Sequence, residues 1–331
     1  MSKVEKWFKN RTFHHSQFSD IKELVKLKKK KNLTISVGLP TLNEAETIAT
    51  ELIVIKSELM DKYHLIDELA IIDSGSTDKT CEIAKRYGAD VYLAEDYLKE
   101  EGIYSGKGEN LWKSIHLLKG DIILWLDADI KNIHPKFVYG LLGPLLTNNR
   151  INYVKAFYER PIKLNAETTL KSSGGGRVTA LMLRPVFNLF FPDLSGLIQP
   201  LSGEYAGRRK ILEKVPFFIG YGVETGLLID IWKKFGLNSI AQVDLDQRIH
   251  RNHTLPTLSK MAFSILQVAL NRAGDLWKLK MLEELNPSMR LIKRKGKRYS
   301  FETFEKKIVE RPPMITVKAY REKRKKRNRT Q

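Results

Sequence analysis

The chain has 331 residues, with 57 Lys and Arg against 38 Asp and Glu, a formal net charge of +19. That length buries a sizeable core, as one large domain or one domain with an appendage, and a hydrophobic content of 42% belongs to a folded protein. No apolar run approaches the roughly 20 residues of a membrane span, and the start MSKVEKWFKNRTFHH lacks the apolar core of a signal peptide. Cys81 is the sole cysteine, which excludes an internal disulfide and fits a reducing cytoplasm.

Residues 1–31 form a basic lead-in. Within it Ser19 or Asp20 is predicted to cap a helix running to about Lys30, with Ile21, Leu24, Val25 and Leu27 as its apolar face. A regular rhythm follows. TISVGLP reads as a strand, and NEAETIATELIVIKSELM as a helix with Asn43 as N-cap and Glu46 three residues on. DELAIIDSGS is the next strand and turn. TDKTCEIAKRYG is a helix closed by Gly88, ADVYLAE a third strand, and GKGENLWKSIHLLKG another helix. Strands alternating with helices at this spacing predict an α/β fold with a mostly parallel sheet covered by helices. Residues 32–150 are assigned to this half.

Beyond residue 150 the rhythm loosens. NYVKAFYERP reads as a strand turning near Pro161, GGGRVTALMLRPVFNLFF as a glycine turn feeding a helix, and GVETGLLIDIWKKFG as an amphipathic helix closed by Gly236. SIAQVDLDQRIHRNH is an alternating strand entering a polar loop, and LSKMAFSILQVALNRAGDL a helix. Residues 151–286 form this second half. Residues 287–331 are a basic extension broken by Pro312-Pro313; YREKRKKRNRTQ has almost no apolar surface and is expected to be flexible and dispensable.

The informative stretch is GDIILWLDADI, Gly120–Ile130, where a strand apolar enough to be fully buried ends in two carboxylates, Asp127 and Asp129. Carboxylates need water, a cation or hydrogen-bond donors. The pair therefore belongs at the strand's carboxyl end, where open α/β sheets keep their ligand crevice. An isolated D-x-D is more often two solvated aspartates opening a turn, so the other strand tips must carry the weight. Pro40, Thr41, Leu42 and Glu44 offer backbone groups and a carboxylate for ribose hydroxyls; Asp73 and Ser74 suit a base edge. Lys107, between Gly106 and Gly108, is a flexible cation for a phosphate or base carbonyl, and the aspartate pair suits a divalent cation, which prefers oxygen ligands. Together these parts suit a nucleotide diphosphate and its metal. A P-loop and a Rossmann dinucleotide fingerprint are excluded, because GIYSGKGE and GLPTLNEA have neither spacing.

These residues resemble the nucleotide-sugar domain of GT-A glycosyltransferases, on LPTLNEAETI, IIDSGSTDKT and LDADI. With GKGENLW, GGGRVTALMLRP, QPLSGEYAGRR, GYGVETGLLID and VDLDQRIHRNH in order, residues 10–285 are similar to the glucosyl-3-phosphoglycerate synthases. The resemblance implies a retaining, metal-dependent transfer of glucose from UDP-glucose to the 2-hydroxyl of 3-phosphoglycerate. Its only notable departure is Ala128, where a serine is common. By resemblance Asp129 ligates Mg²⁺ or Mn²⁺, Asp127 faces the ribose and the metal's waters, and Pro40, Thr41, Leu42, Glu44, Ser74, Lys107 and Ala128 complete the donor site. Three glycines feeding a helix, with Arg177 and Thr179, make a phosphate or carboxylate receptor on physical grounds. By resemblance Gly176, Val178 and those two residues receive 3-phosphoglycerate. Glu224, at a helix start, is expected against the transferred glucose as an orienting group rather than a nucleophile.

His250 leaves the alternating strand with Arg248 and Asn252 at the same parity, so all three can face the crevice. The resemblance makes His250 a metal ligand beside Asp129; Arg248 and Asn252 are assigned to the acceptor side. His14, His15, His64, His116 and His134 show no metal-ligand context. Related members are typically dimers, so a homodimer is expected. Three other functions remain in play. They are a mannosyl-3-phosphoglycerate synthase using GDP-mannose, a polyprenyl-phosphate glycosyltransferase, and a basic nucleic-acid-binding protein, the last without any helix-turn-helix, zinc-finger or RNP signature.

Overall fold

A computed structural model describes residues 1–160, 176–249, 254–277, 288–295 and 298–329. The strands up to residue 247 are β1 (Thr12–His14), β2 (Ile35–Thr41), β3 (Glu68–Asp73), β4 (Asp90–Leu93), β5 (Ile122–Trp125), β6 (Tyr153–Glu159), β7 (Tyr205–Arg208), β8 (Phe217–Phe218) and β9 (Ile240–Gln247). All but β8 form one sheet in the order β1-β9-β6-β7-β5-β2-β3-β4. Pairing is parallel throughout except at β7, which runs antiparallel to both β5 and β6. The start of β7 therefore lies at the same rim as the carboxyl ends of β2, β3, β5, β6 and β9. That rim is where the motif residues gather.

The helices are α1 (Lys3–Arg11), α2 (Ile21–Lys30), α3 (Ile48–Ile55), α4 (Thr80–Arg86), α5 (Lys107–Leu117), α6 (Lys136–Thr147), α7 (Arg184–Phe190), α8 (Arg209–Leu212), α9 (Val223–Phe235), α10 (Leu255–Trp277) and α11 (Lys318–Arg329). They bury both faces of the sheet, which explains why β5 is apolar at every position. Ile122 and Leu124 enter one core cluster, with residues of α3 and α6. Ile123 and Trp125 enter the other, with residues of α5 and α9. At roughly 2 kcal/mol for each fully buried large side chain, β5 is held too firmly to slide. The charges after it have one exit, at the rim.

Several expectations change. Asp20, not Ser19, caps α2, accepting from Glu23 N at 3.1 Å. Asn43 does not cap α3. Its φ is +58°, and its side-chain oxygen accepts from Thr77 N at 2.9 Å, tying the loop after β2 to the loop after β3. The lead-in is part of the sheet, because β1 pairs with β9 and Trp7 Nε1 donates to Ile240 O at 2.9 Å.

The C-terminal segment is packed rather than loose. Met314, Val317 and Tyr320 are buried, and α11 lies over the end of α5. Tyr320 OH donates to Glu213 Oε2 at 2.8 Å and Arg324 Nη1 to Glu213 Oε1 at 2.7 Å. Lys323 and Arg327 donate to the carbonyls of His116 and Lys119, at 2.6 and 2.8 Å. Basic side chains suit the unsatisfied carbonyls at a helix C-terminus. Apolar burial of Met314, Val317 and Tyr320 anchors the segment, and charge docks the basic tail beyond them.

Candidate active site

A cleft of about 490 Å³ opens at the rim. It is lined by Pro40, Thr41, Leu42, Glu44, Ser74, Lys107, Asp127, Ala128, Asp129, Gly176, Arg177, Val178, Thr179, Glu224 and Arg248. Every site residue named from sequence that the structure describes, Asp73 excepted, is thus in one place. His250 and Asn252 lie outside the described residues.

The two aspartates are positioned by stitches on both sides. Thr47 Oγ1 donates to Ala128 O at 2.5 Å, and Ile130 N donates to the buried Glu51 Oε1 at 2.8 Å. Lys131 N donates to Ile249 O at 2.9 Å, and Asn132 bridges Gln247 O and Ile249 N. The turn after β5 is thereby laced to the exit of β9, which delivers Arg248 between the carboxylates. Arg248 Nη2 lies 2.5 Å from Asp129 Oδ1 and 3.3 Å from Asp127 Oδ2. Its Nε is 2.9 Å from Glu204 Oε1, an ion pair by distance whose direction is too oblique for a hydrogen bond. Arg248 thus grips three carboxylates while lining the same cleft as the residues expected to take the acceptor.

Lys107 is the first residue of α5. Its ammonium lies 2.5 Å from Asp127 Oδ1 and 2.8 Å from Glu224 Oε1, so it bridges the D-x-D to the start of α9. Burial opposes the charge on both partners but loses to the pairing. Lys107 is held well above the ordinary lysine value by Asp127 and Glu224, and Asp127 well below the carboxylate range by Lys107 and Arg248. The flexible cation of the sequence reading is a fixed one. Gly108 lets α5 approach this closely, since a Cβ there would sit 1.7 Å from Phe218 O.

Asp73 is not available to a base. Its Oδ1 accepts from Gly75 N and Ser76 N, its Oδ2 from Thr41 Oγ1 and Ser76 Oγ, and it is 1% exposed. It builds the turn; Ser74, half-buried and bonded to Asn110 Oδ1 at 2.9 Å, is the residue presented to the cleft.

Sequence reasoning missed a layer beneath the cleft. Glu204 is fully buried, receives Tyr158 OH at 2.5 Å and pairs with Arg248. Lys155 donates to Ser202 O at 2.6 Å and lies 3.9 Å from the Tyr205 ring centre; burial pushes its ammonium down to about 7. Gly203 sits so close to Asp127 that a Cβ would lie 1.8 Å from Oδ2. The signal was present in QPLSGEYAG, where a glycine and a glutamate precede a strand.

The donor set fits a hard divalent cation. Among the described residues only Oδ1 of Asp129 is engaged, and this carboxylate borders the cleft. Oxygen ligands suit Mg²⁺ or Mn²⁺.

A sequence model of Glycosyl transferase family 2 matches residues 36–221. A glucosyl-3-phosphoglycerate synthase from Petrotoga mobilis is 58% identical over 313 residues, 95% of this chain and 96% of the relative. The chain belongs to the glucosyl-3-phosphoglycerate synthase family. It is a metal-dependent glycosyltransferase. The glucosyl-3-phosphoglycerate synthase of Mycobacterium tuberculosis in complex with Mn²⁺, UDP and phosphoglyceric acid is 40% identical with a TM-score of 0.77, covering 89% of this chain and 94% of that one. The same enzyme is known with Mg²⁺ and UDP. A mannosyl-3-phosphoglycerate synthase from Rubrobacter xylanophilus superposes better, with a TM-score of 0.86 over 95% of this chain and 97% of that one, at 34% identity. Backbone shape and residue identity thus rank these two relatives in opposite order. Identity carries the assignment, because a shared backbone hosts both donors and side chains choose between them. Among the described residues no helix is long and apolar enough to cross a membrane.

Proposed function

We propose that this protein transfers glucose from UDP-glucose to the 2-hydroxyl of 3-phosphoglycerate with retention, releasing UDP. The observation that carries this reading is the chain of ion pairs Arg248–Asp127–Lys107–Glu224, which joins the D-x-D to the helix start beside the glycine-arginine turn. Donor phosphates and acceptor are then held on two sides of one fixed cation.

Pro40, Thr41, Leu42, Glu44 and Ser74 take the nucleoside. Asp129, with His250, holds the divalent cation, and Asp127 faces the ribose and the cation's waters. When bound, the cation supplies Lewis-acid stabilisation to the departing diphosphate. Lys107 adds a positive charge at the same place and orients Glu224, whose carboxylate aligns the glucose hydroxyls. Gly176, Arg177, Val178 and Thr179 grip the acid and phosphate of the acceptor, placing its 2-hydroxyl on the leaving-group face. Arg248 keeps the two aspartates in register, and Asn252 stands on the acceptor side. Cytoplasmic homodimers are the expected working form, checked by sedimentation equilibrium.

The test is an activity grid of UDP-glucose, GDP-mannose and GDP-glucose against 3-phosphoglycerate, repeated with Asp129→Ala. UDP-glucose should dominate, and the variant should be inactive yet melt like the parent. Preference for GDP-mannose would move the protein to the mannosyl reaction, and full turnover in excess chelator would remove the metal from the mechanism.

A further inference from the structure

His14, His15 and Asp246 meet at the edge of the sheet, well apart in sequence from the D-x-D. β1 ends at His14, directly beside Asp244 of β9. Asp246 has a φ of +63°, a left-handed conformation that aspartate tolerates better than most non-glycine residues, and its N–H donates to Asp244 Oδ1 at 2.9 Å. His14 Nε2 lies 3.0 Å from Asp246 Oδ1, and His15 Nε2 lies 2.6 Å from Oδ2. The two rings are 4.5 Å apart, and the three ligand atoms all fall within 4.8 Å of one another.

The far side of each imidazole is occupied as well. His14 Nδ1 is 2.7 Å from Ser16 Oγ, and His15 Nδ1 is 3.1 Å from Tyr139 OH. The hydroxyls fix the ring orientations with Nε2 toward Asp246. Because a hydroxyl accepts as readily as it donates, Nδ1 can carry the proton and leave a lone pair on Nε2, in competition at His14 with Ser16 N, which donates to Nδ1 at 3.3 Å. Both rings are held in that way and both Nε2 atoms converge on one carboxylate. A plain salt link between a histidine and an aspartate needs neither the second ring nor the two orienting hydroxyls.

We propose that His14, His15 and Asp246 form a second metal site, for a divalent transition ion such as Zn²⁺ or Co²⁺. Two imidazoles and a carboxylate suit these ions better than Mg²⁺ or Mn²⁺, which favour the oxygen-rich active site. Three protein ligands leave one coordination position for water. Lys136 Nζ, 2.7 Å from Asp246 Oδ2, is the competing cation. It remains compatible with the ion if Asp246 ligates through Oδ1 and keeps Lys136 on Oδ2, a common arrangement for metal-bound carboxylates. His14 and Asp246 are 43% and 44% exposed, which gives the ion a route in, while His15 is nearly covered. The site clamps the N-terminal strand to β9, two residues before Arg248, so its occupancy braces the strand that enters the active site. It does not depend on the proposed sugar transfer.

The test uses the full chain carrying Asp129→Ala, which silences the active-site metal, without UDP. Co²⁺ is followed by its visible absorption, which is strong for four-coordinate ions, and Zn²⁺ by calorimetry. The expectation is one ion per chain. His15→Ala and Asp246→Asn should each weaken binding at least about tenfold, and Lys136→Met should tighten it. His15→Gln, which keeps a partner for Tyr139, and thermal melts of every variant separate ligand loss from misfolding. No binding at millimolar Co²⁺ or Zn²⁺, or equal affinity in His15→Gln and Asp246→Asn, overturns the site.

Discussion

Gly203→Ala should disable the enzyme while leaving it folded. The new Cβ would lie 1.8 Å from Asp127 Oδ2, 2.2 Å from its Cγ and 2.6 Å from Oδ1, whereas ordinary contact begins near 3.4 Å. Something must move by about 1.5 Å, because short-range repulsion is too steep for so large an overlap to be absorbed in place. The backbone tolerates alanine, because Gly203 is not in the left-handed region. The atoms met are the end of one side chain, so the fold can yield by rotating Asp127 away, at a stability cost of about 1–3 kcal/mol. That rotation breaks the 2.5 Å contact to Lys107 and the contact to Arg248. A misplacement of about 1 Å in a positioning group costs roughly a hundredfold in rate, so kcat/KM should fall at least that far, about 2.7 kcal/mol of transition-state stabilisation. The assay is UDP release with UDP-glucose and 3-phosphoglycerate, paired with a melt and with Mn²⁺ calorimetry in the presence of UDP. A double variant with Asp127→Ala supplies a cycle: adding Gly203→Ala to it should cost almost nothing, since the clash is gone. Activity within threefold of the parent, or full additivity in the cycle, would refute the reasoning.

Arg177→Ala should raise KM for 3-phosphoglycerate roughly ten- to hundredfold, the worth of a charge-assisted contact of about 1.5–3 kcal/mol, and leave KM for UDP-glucose nearly unchanged; equal effects on both would remove the glycine-arginine turn from the acceptor site. Burial lowers Lys155 to about 7. Between that pH and the ordinary lysine value the unfolded chain holds more protons than the folded one, so this group makes stability rise with pH by up to about 1.4 kcal/mol per unit. Lys155→Met should flatten that rise in melts from pH 7 to 9.5, and an unchanged slope would count against the depressed ammonium. Deleting the chain after Lys318 strips Tyr320 and Arg324 from the buried Glu213. The loss of an aromatic anchor and two partners, roughly 3–5 kcal/mol, should lower the melting temperature by about 5–10 °C with kcat of the folded enzyme intact; an unchanged melt would restore the dispensable tail.

The sequence by itself determined what short-range physics can encode. The β-α rhythm, the burial of β5 on both faces and the emergence of Asp127 and Asp129 at its end follow from runs of a few residues, and so does the helix start at Glu224. Only the tertiary structure decided which of those groups are free to act. Asp73 lies in the same kind of tip as Ser74, yet four donors within hydrogen-bond reach make it a structural residue. Arg248 stands at the parity of a ligand-facing residue, but it meets carboxylates more than 100 positions earlier in the chain. The basic tail reads as solvated because its own composition is polar; its partners are carbonyls at the end of α5 and a carboxylate at Glu213. His14 and His15 gain an orienting aspartate from a strand 232 and 231 residues away, respectively. Periodicity reports which face of an element is buried, and it carries no information about which distant element will supply the opposite charge; that pairing exists only once β7 has been inserted antiparallel and β1 has closed on β9.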